Sequence, residues 1–286
     1  RHGSGLLTQL RDWLFDRSRR LQGGLQTVLE RLRARGDTSI GALRQLVRKD
    51  QLVFLRDASQ WTQLLVVAAI TVVYLVNYQY FEGAAGTRLF GDIGLYYFNL
   101  AACGFVVVAL AGRFLFPAVS LEGRNFWLIL QAPISLEAYL CGKWLGAMAP
   151  VVVAGQALIW AANLLVAQNW FFCLAASFIV LELSAAVSAM AVGLGAVYPQ
   201  FHDPNAAKIA SSFGAVIYMI LGVFLVLGIL AATFHVTMHY GSLLEGRALY
   251  APGPWTYAAT VGGMLAPVAA AVLSIKVGAS SLRRRL

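Results

Sequence analysis

Apolar and polar positions along this chain fall into long blocks rather than short alternations. Six apolar runs of about 20 residues, the length that crosses a bilayer core as a helix, cover roughly 61–81, 93–116, 140–167, 170–198, 209–234 and 254–275. Between the second and third lies a stretch of mixed character, Phe116 to Trp144. It holds Glu122, Arg124, Asn125, Gln131, Glu137 and Lys143, with Pro117 and Pro133, yet also the unbroken apolar run Phe126–Leu130. Unpaired polar groups cannot rest in hydrocarbon, and proline removes a helical hydrogen bond, so one continuous span is excluded here. The pattern predicts a short helix at or just below the membrane surface.

Ahead of the first run, Leu43, Leu46, Val47, Val53 and Phe54 form an apolar stripe flanked by Arg44, Arg48, Lys49 and Arg56. That is the profile of an interfacial helix over 39–59 with snorkelling cations. Asp50 and Asp57 fall close to the apolar line, and Lys49, Arg56 or another subunit are the available partners. Residues 1–38 read as a basic cytosolic linker, with a short amphipathic helix on Leu21, Leu25, Val28, Leu29 and Leu32 as the alternative. The expected organisation is an all-α membrane protein with a six-span domain over 60–281. Within that domain lie a loop at 117–139 and an external segment at 235–253, and a basic tail at 282–286 follows.

Composition agrees with this reading. Charged residues make up 12% of the chain and mean hydropathy is +0.69, whereas a soluble protein carries about a quarter charged residues. The net charge of +9 is unevenly placed: residues 1–58 hold twelve of the 22 Lys and Arg. With the basic amino terminus in the cytosol, Arg113, Arg124, Lys143, Lys208, Lys276 and Arg283–Arg285 fall on the cytosolic side, and only Arg88 and Arg247 fall opposite. Both termini and the 117–139 loop are therefore predicted to be cytosolic. The cations flank spans instead of interleaving with stacking aromatics, which points to anionic lipid rather than nucleic acid. Cys103, Cys141 and Cys173 lack the spacing of a disulfide framework or zinc site. The chain opens on Arg rather than Met, as expected of an internal piece of a longer polypeptide.

Candidate chemistry gathers in the loop. Glu122-Gly-Arg124 places a carboxylate and a guanidinium at a break, with Gly123 supplying backbone freedom. Leu128–Ser135 offers an apolar knob ringed by charge, suited either to a partner's cleft or to an interfacial hairpin whose charges stay wet. Glu182 stands mid-way along the fourth run, where an ionisable group needs a partner or water. It reads as a contact on a substrate path or dimer seam, or as a Ser-bonded or protonated carboxyl tying two helices. Asn99 and Asn163 carry the same signal more weakly. Gly193, Gly195, Ser184, Ser188 and Ala191 give that run a small-residue face for close packing. His235 and His239 lie one helical turn apart without a third ligand, so no metal is expected. No convergent nucleophile and base favour an intramembrane enzyme.

Three groups of residues carry a family resemblance: Leu46–Asp50 with Phe54–Trp61, Glu122–Ser135 with Lys143-Trp144, and Gly193–Phe201 with Asn205–Ala210. Over residues 40–286 they resemble the membrane half of type-2 ABC exporters. Asn125-Phe-Trp is nearest an exporter subgroup whose members often carry two six-span halves. The resemblance implies the type-2 exporter permease fold, an elbow helix followed by six spans, and a translocation path coupled to an ATPase. By position it implies that Glu122, Gly123, Arg124, Asn125 and Phe126 form the acidic motif before the ATPase contact, and that Leu130, Gln131, Ala132, Pro133 and Ile134 form the contact. It implies two ABC ATPase subunits, a second permease half or protomer, and membrane lipids as partners, in a bacterial cytoplasmic (inner) membrane. The chain holds no GxxxxGK[ST] phosphate loop. The expectation is therefore a transport subunit rather than an enzyme, binding no cofactor itself, with ATP and Mg on the partner. A non-transporting scaffold or assembly subunit of the same fold is the alternative. Lipids, peptides, drugs, glycans and ions all remain open as substrates.

Overall fold

The long apolar runs form helices, and among the described residues there is no strand. The computed structural model describes residues 38–56, 65, 69, 72–73, 76, 87–132, 134–165, 169–203, 205–244 and 253–285. In chain order these give α1 (Thr38–Arg56), α2 (Thr87–Phe114), two 3-10 turns (Phe116–Ala118 and Ser120–Asn125), α3 (Phe126–Gln131), α4 (Leu136–Leu165), α5 (Trp170–Val197), α6 (Ala206–Ala210), α7 (Phe213–Leu244) and α8 (Pro254–Arg285).

Five of the described helices are long and apolar enough to cross a membrane: those centred on α2, α4, α5, α7 and α8. The chain is an integral membrane protein. The expected linker at 1–38 lies outside the described residues save Thr38, which begins α1. So does most of the expected span at 61–81, of which Leu65, Ala69, Val72, Val73 and Val76 are described and helical.

Three expected boundaries move, each for a local reason. α7 does not stop at Phe234 but continues through His235 and His239 to Leu244. Its polar residues are absorbed by the helix itself: the Thr233 and Thr237 hydroxyls donate to the carbonyls of Ile229 and Thr233 at 2.9 and 3.0 Å. α4 starts at Leu136, before the expected end of the loop, because Ser135 caps it by accepting from the Ala138 N–H at 3.1 Å. α8 runs through the expected tail to Arg285, since Ile275, Gly278, Ala279 and Leu282 recur at helical spacing and are buried.

α5 is the central helix. Its carboxyl-terminal half, from Leu183 to Ala196, is buried almost without interruption, including Ser184, Ser188, Ala191, Gly193 and Gly195. Asn169 starts it by accepting from the Phe171 N–H at 3.0 Å. Small residues let neighbours come close. Gly193 and Gly278 face each other where α5 crosses α8, and the Gly193 carbonyl lies 2.7 Å from where a Cβ on Gly278 would sit. Gly195 lies against the Phe116 carbonyl, where a side chain has no room. Tyr218 of α7 is fully buried beside Phe116 and donates to the Val108 carbonyl at 3.0 Å. These contacts bring the end of α2, the two turns, the starts of α4 and α7 and the ends of α5 and α8 to one end of the bundle.

Candidate functional site

The break is built by two residues whose backbones cannot continue α2. Pro117 lacks an N–H and occupies the start of the first 3-10 turn. Gly123 then adopts φ +52° and ψ −131°, and its carbonyl accepts from the Phe126 N–H as α3 begins. L-residues with side chains avoid that backbone region, at a cost of about 1–3 kcal/mol. Gly123→Ala is therefore expected to lower the melting temperature of the purified chain and to misplace Glu122. Thermal unfolding in detergent measures this, with Leu121→Ala, at an exposed position of the same turn, as the comparison.

Glu122 sits at the centre of a four-residue charge node. It is paired with Lys143 of α4 and with Lys49 of α1, the latter at 2.7 Å. Asp50 of α1 completes the set, 3.0 Å from Lys143 and 3.4 Å from Lys49. Lys143 is only 5% exposed, and Glu122 and Asp50 are mostly covered. Two cations and two carboxylates leave the node formally neutral, which is what permits their burial. Burial alone would lower the Lys49 ammonium, but Glu122 and then Asp50 outweigh it and hold it above the usual lysine value. The Tyr139 ring lies beneath the Lys143 ammonium, 5.9 Å from its centroid. The Tyr139 hydroxyl and Asp50 Oδ2 are buried without a hydrogen-bond partner among the described residues. The node therefore ties three separate pieces, α1, the break and α4, through charges rather than shape.

α3 presents the apolar knob. Phe126 is its buried root, edge-on to Tyr139 at 5.9 Å and tilted against Phe201 at 4.9 Å. Ile129 and Ile134 also pack toward the core. Trp127 and Leu130 point the other way, 48% and 43% exposed, with Leu121 nearby in sequence equally open. Gln131 is exposed and Ala132 half-buried. Arg124 and Asn125 contribute backbone to the second turn, while their side chains, and Pro133, lie outside the described residues. The expected acidic motif and contact thus occupy one continuous feature, with the carboxylate turned inward and Trp127 and Leu130 outward.

Deeper in the bundle, Asn99 and Asn163 are brought together. The buried Asn99 Nδ2 donates to Asn163 Oδ1 at 3.2 Å and joins α2 to α4. Glu182 is half-buried on α5, in a stretch where Phe178 and Leu181 are exposed. Sequence reasoning offered Asp50 the partners Lys49, Arg56 or another subunit; Lys49 is one of its partners at 3.4 Å, and Lys143, which was not among them, is closer at 3.0 Å. The usable signal was a lone carboxylate on the α1 apolar stripe and a lone lysine in an apolar run.

Residues 12–283 match the profile of a family described as "Putative ATP-binding cassette". No curated protein matches the chain. The family match corrects two expectations. One was a permease half forming a path and served by a separate ATPase subunit, with a scaffold as alternative. The other was a chain with no nucleotide function of its own. The first rested on loose motifs, and the second on one missing phosphate-loop pattern, although nucleotides are also held by other arrangements of backbone N–H groups and cations.

Proposed function

The chain belongs to the putative ATP-binding cassette family, and from that premise we propose that it is a membrane-integral part of an ABC transporter, driven by ATP through the break at one end of its bundle. The observation that carries this reading is the pairing of an exposed apolar knob, Trp127 and Leu130, with the buried charge node immediately behind it. Movement imposed on α3 has a short route inward, because Phe126 touches Tyr139 and Tyr139 underlies Lys143. From Lys143 it passes along α4 and, through Asp50, to α1. Glu122, Gly123, Arg124, Asn125 and Phe126 set the geometry of the break in this proposal, and Leu130, Gln131, Ala132, Pro133 and Ile134 receive the movement.

The cations clustered at the node-bearing end support its assignment to the cytosolic face. α1 acts as an interfacial elbow, and the apolar run at 61–81 supplies a sixth span, in a bacterial cytoplasmic membrane. ATP is the nucleotide that the family's description names.

The test uses membrane vesicles carrying the complete transporter. A cysteine placed at Trp127 or Leu130 should change its rate of labelling by a water-soluble maleimide when MgATP is added, and a cysteine at Trp255, at the opposite end, should not. Equal labelling with and without MgATP at both knob positions would overturn the proposal.

A further inference from the structure

The end of the bundle that holds the break is also its cationic end. Arg44, Arg48 and Arg56 stand at multiples of four residues on α1 and so share one helix face, with Leu52 completing the row. All four are exposed, whereas Leu46, Val47 and Asp50 turn toward α4. The row extends over about 18 Å of helix. At the end of α8, Arg283, Arg284 and Arg285 are exposed beside the buried Leu282, and Lys276 is exposed one helical stretch earlier. α8 reaches the same end of the bundle, since Gly278 packs on Gly193 near the close of α5.

Charge bookkeeping makes this surface distinctive. Ion pairs join Lys49, Asp50, Glu122 and Lys143 within the node, and Lys208 to Asp203. Asp50 and Glu122 are thus occupied by Lys49 and Lys143, and Asp203 by Lys208. Among the described residues, no carboxylate lies within ion-pair distance of Arg44, Arg48, Arg56, Lys276 or Arg283–Arg285. These cations therefore form a positive surface that is unpaired among the described residues, with Glu137 at the start of α4 as an exposed carboxylate at the same end. Its depth is set by helix length: α4 spans 30 residues, about 45 Å against a hydrocarbon core of about 30 Å. The excess accommodates the charged start of α4, where α1 is anchored, at the head-group level.

We infer that this end binds the phosphates of anionic phospholipid headgroups in the adjoining leaflet, chiefly through Arg44, Arg48 and Arg56, with Leu52 entering the acyl boundary between them. Guanidinium groups suit phosphate oxygens through paired N–H donors, and an exposed leucine in the same row suits an interface better than a fully aqueous partner. The inference rests on membrane placement and not on the role given to α3, so either can fail alone.

The experiment places the full chain in phosphatidylcholine bilayers containing spin-labelled phosphatidylglycerol or spin-labelled phosphatidylcholine and reads the protein-immobilised fraction of each. The native chain should select phosphatidylglycerol. The combined Arg44→Gln, Arg48→Gln, Arg56→Gln variant should lose that selectivity by at least about fivefold, the contribution of a single cation near an anionic surface. Far-UV circular dichroism of the variant should match the native chain, because none of the three arginines holds α1 to α4. Selectivity that is absent in the native chain, or unchanged in the variant, overturns the inference. So does its displacement by inorganic phosphate or by a polyglutamate peptide, since either would show a surface made for a soluble anion.

Discussion

Lys143→Met is expected to destabilise the purified chain more than any other single substitution at the break, by about 3–5 kcal/mol. The methylene stem would still fill its place, so the loss would come from charge. Glu122 and Asp50, both largely covered, would be left facing Lys49 alone, and Lys49 is half exposed to solvent. Two buried carboxylates with one partially hydrated cation cannot both remain ionised at low cost. Thermal unfolding followed by a thiol-reactive dye reads the effect once the half-buried Cys141 is replaced by serine in every variant compared, because Cys103 and Cys173 are buried in the folded chain and react once the bundle opens. Adding Glu122→Gln to Lys143→Met should restore part of the loss, since it removes one orphaned charge. If the double variant were less stable than the sum of the two single variants, the node would not be the electrostatic unit described above.

Gly193→Ala should produce the second large effect. A Cβ at this position would run into the backbone carbonyl of Ser274 and approach the Ser274 Cβ to 2.9 Å. A backbone obstacle cannot rotate away as a side chain can. α5 and α8 would have to separate, with an overpacking cost of about 1–3 kcal/mol and loss of close contact along both helices. The same dye assay should show melting several degrees lower, whereas Gly228→Ala, where a Cβ meets nothing within 4 Å, should melt like the native chain or slightly above it. A Gly193→Ala variant with native stability would mean that the two helices do not cross at this point.

Helix content and the membrane class were legible because length and apolarity decide them. Runs of about 20 apolar residues leave little choice in a bilayer, and α4 and α5 begin or end within a few residues of the expected positions. The break was legible for the same reason reversed, since Pro117 and the cluster around Glu122 cannot be part of a plain span. Boundaries fixed by side-chain hydrogen bonds were not legible. The fifth run was expected to end at Phe234, yet the Thr233 and Thr237 hydroxyls bond within the helix and let α7 continue. The site was half legible. Glu122 and Gly123 were singled out from local sequence, but Lys49 and Asp50 were recognised only as an anchor and a misplaced charge. Their meaning depends on Lys143, and periodicity within one helix carries no information about a partner on another. The nucleotide connection was misassigned because motif resemblance and a single missing pattern were allowed to stand for chemistry.

The separation in sequence between Asp50 and Lys143 has a consequence for how the chain is assembled. The two residues lie 93 positions apart, and Glu122 joins Lys49 across 73. Lys143 is costly to bury between helices until its charge is met, and the carboxylates that meet it are synthesised earlier. Asp50 and Glu122 therefore already exist in the chain when Lys143 is made, so neutralising the buried lysine does not depend on any later segment.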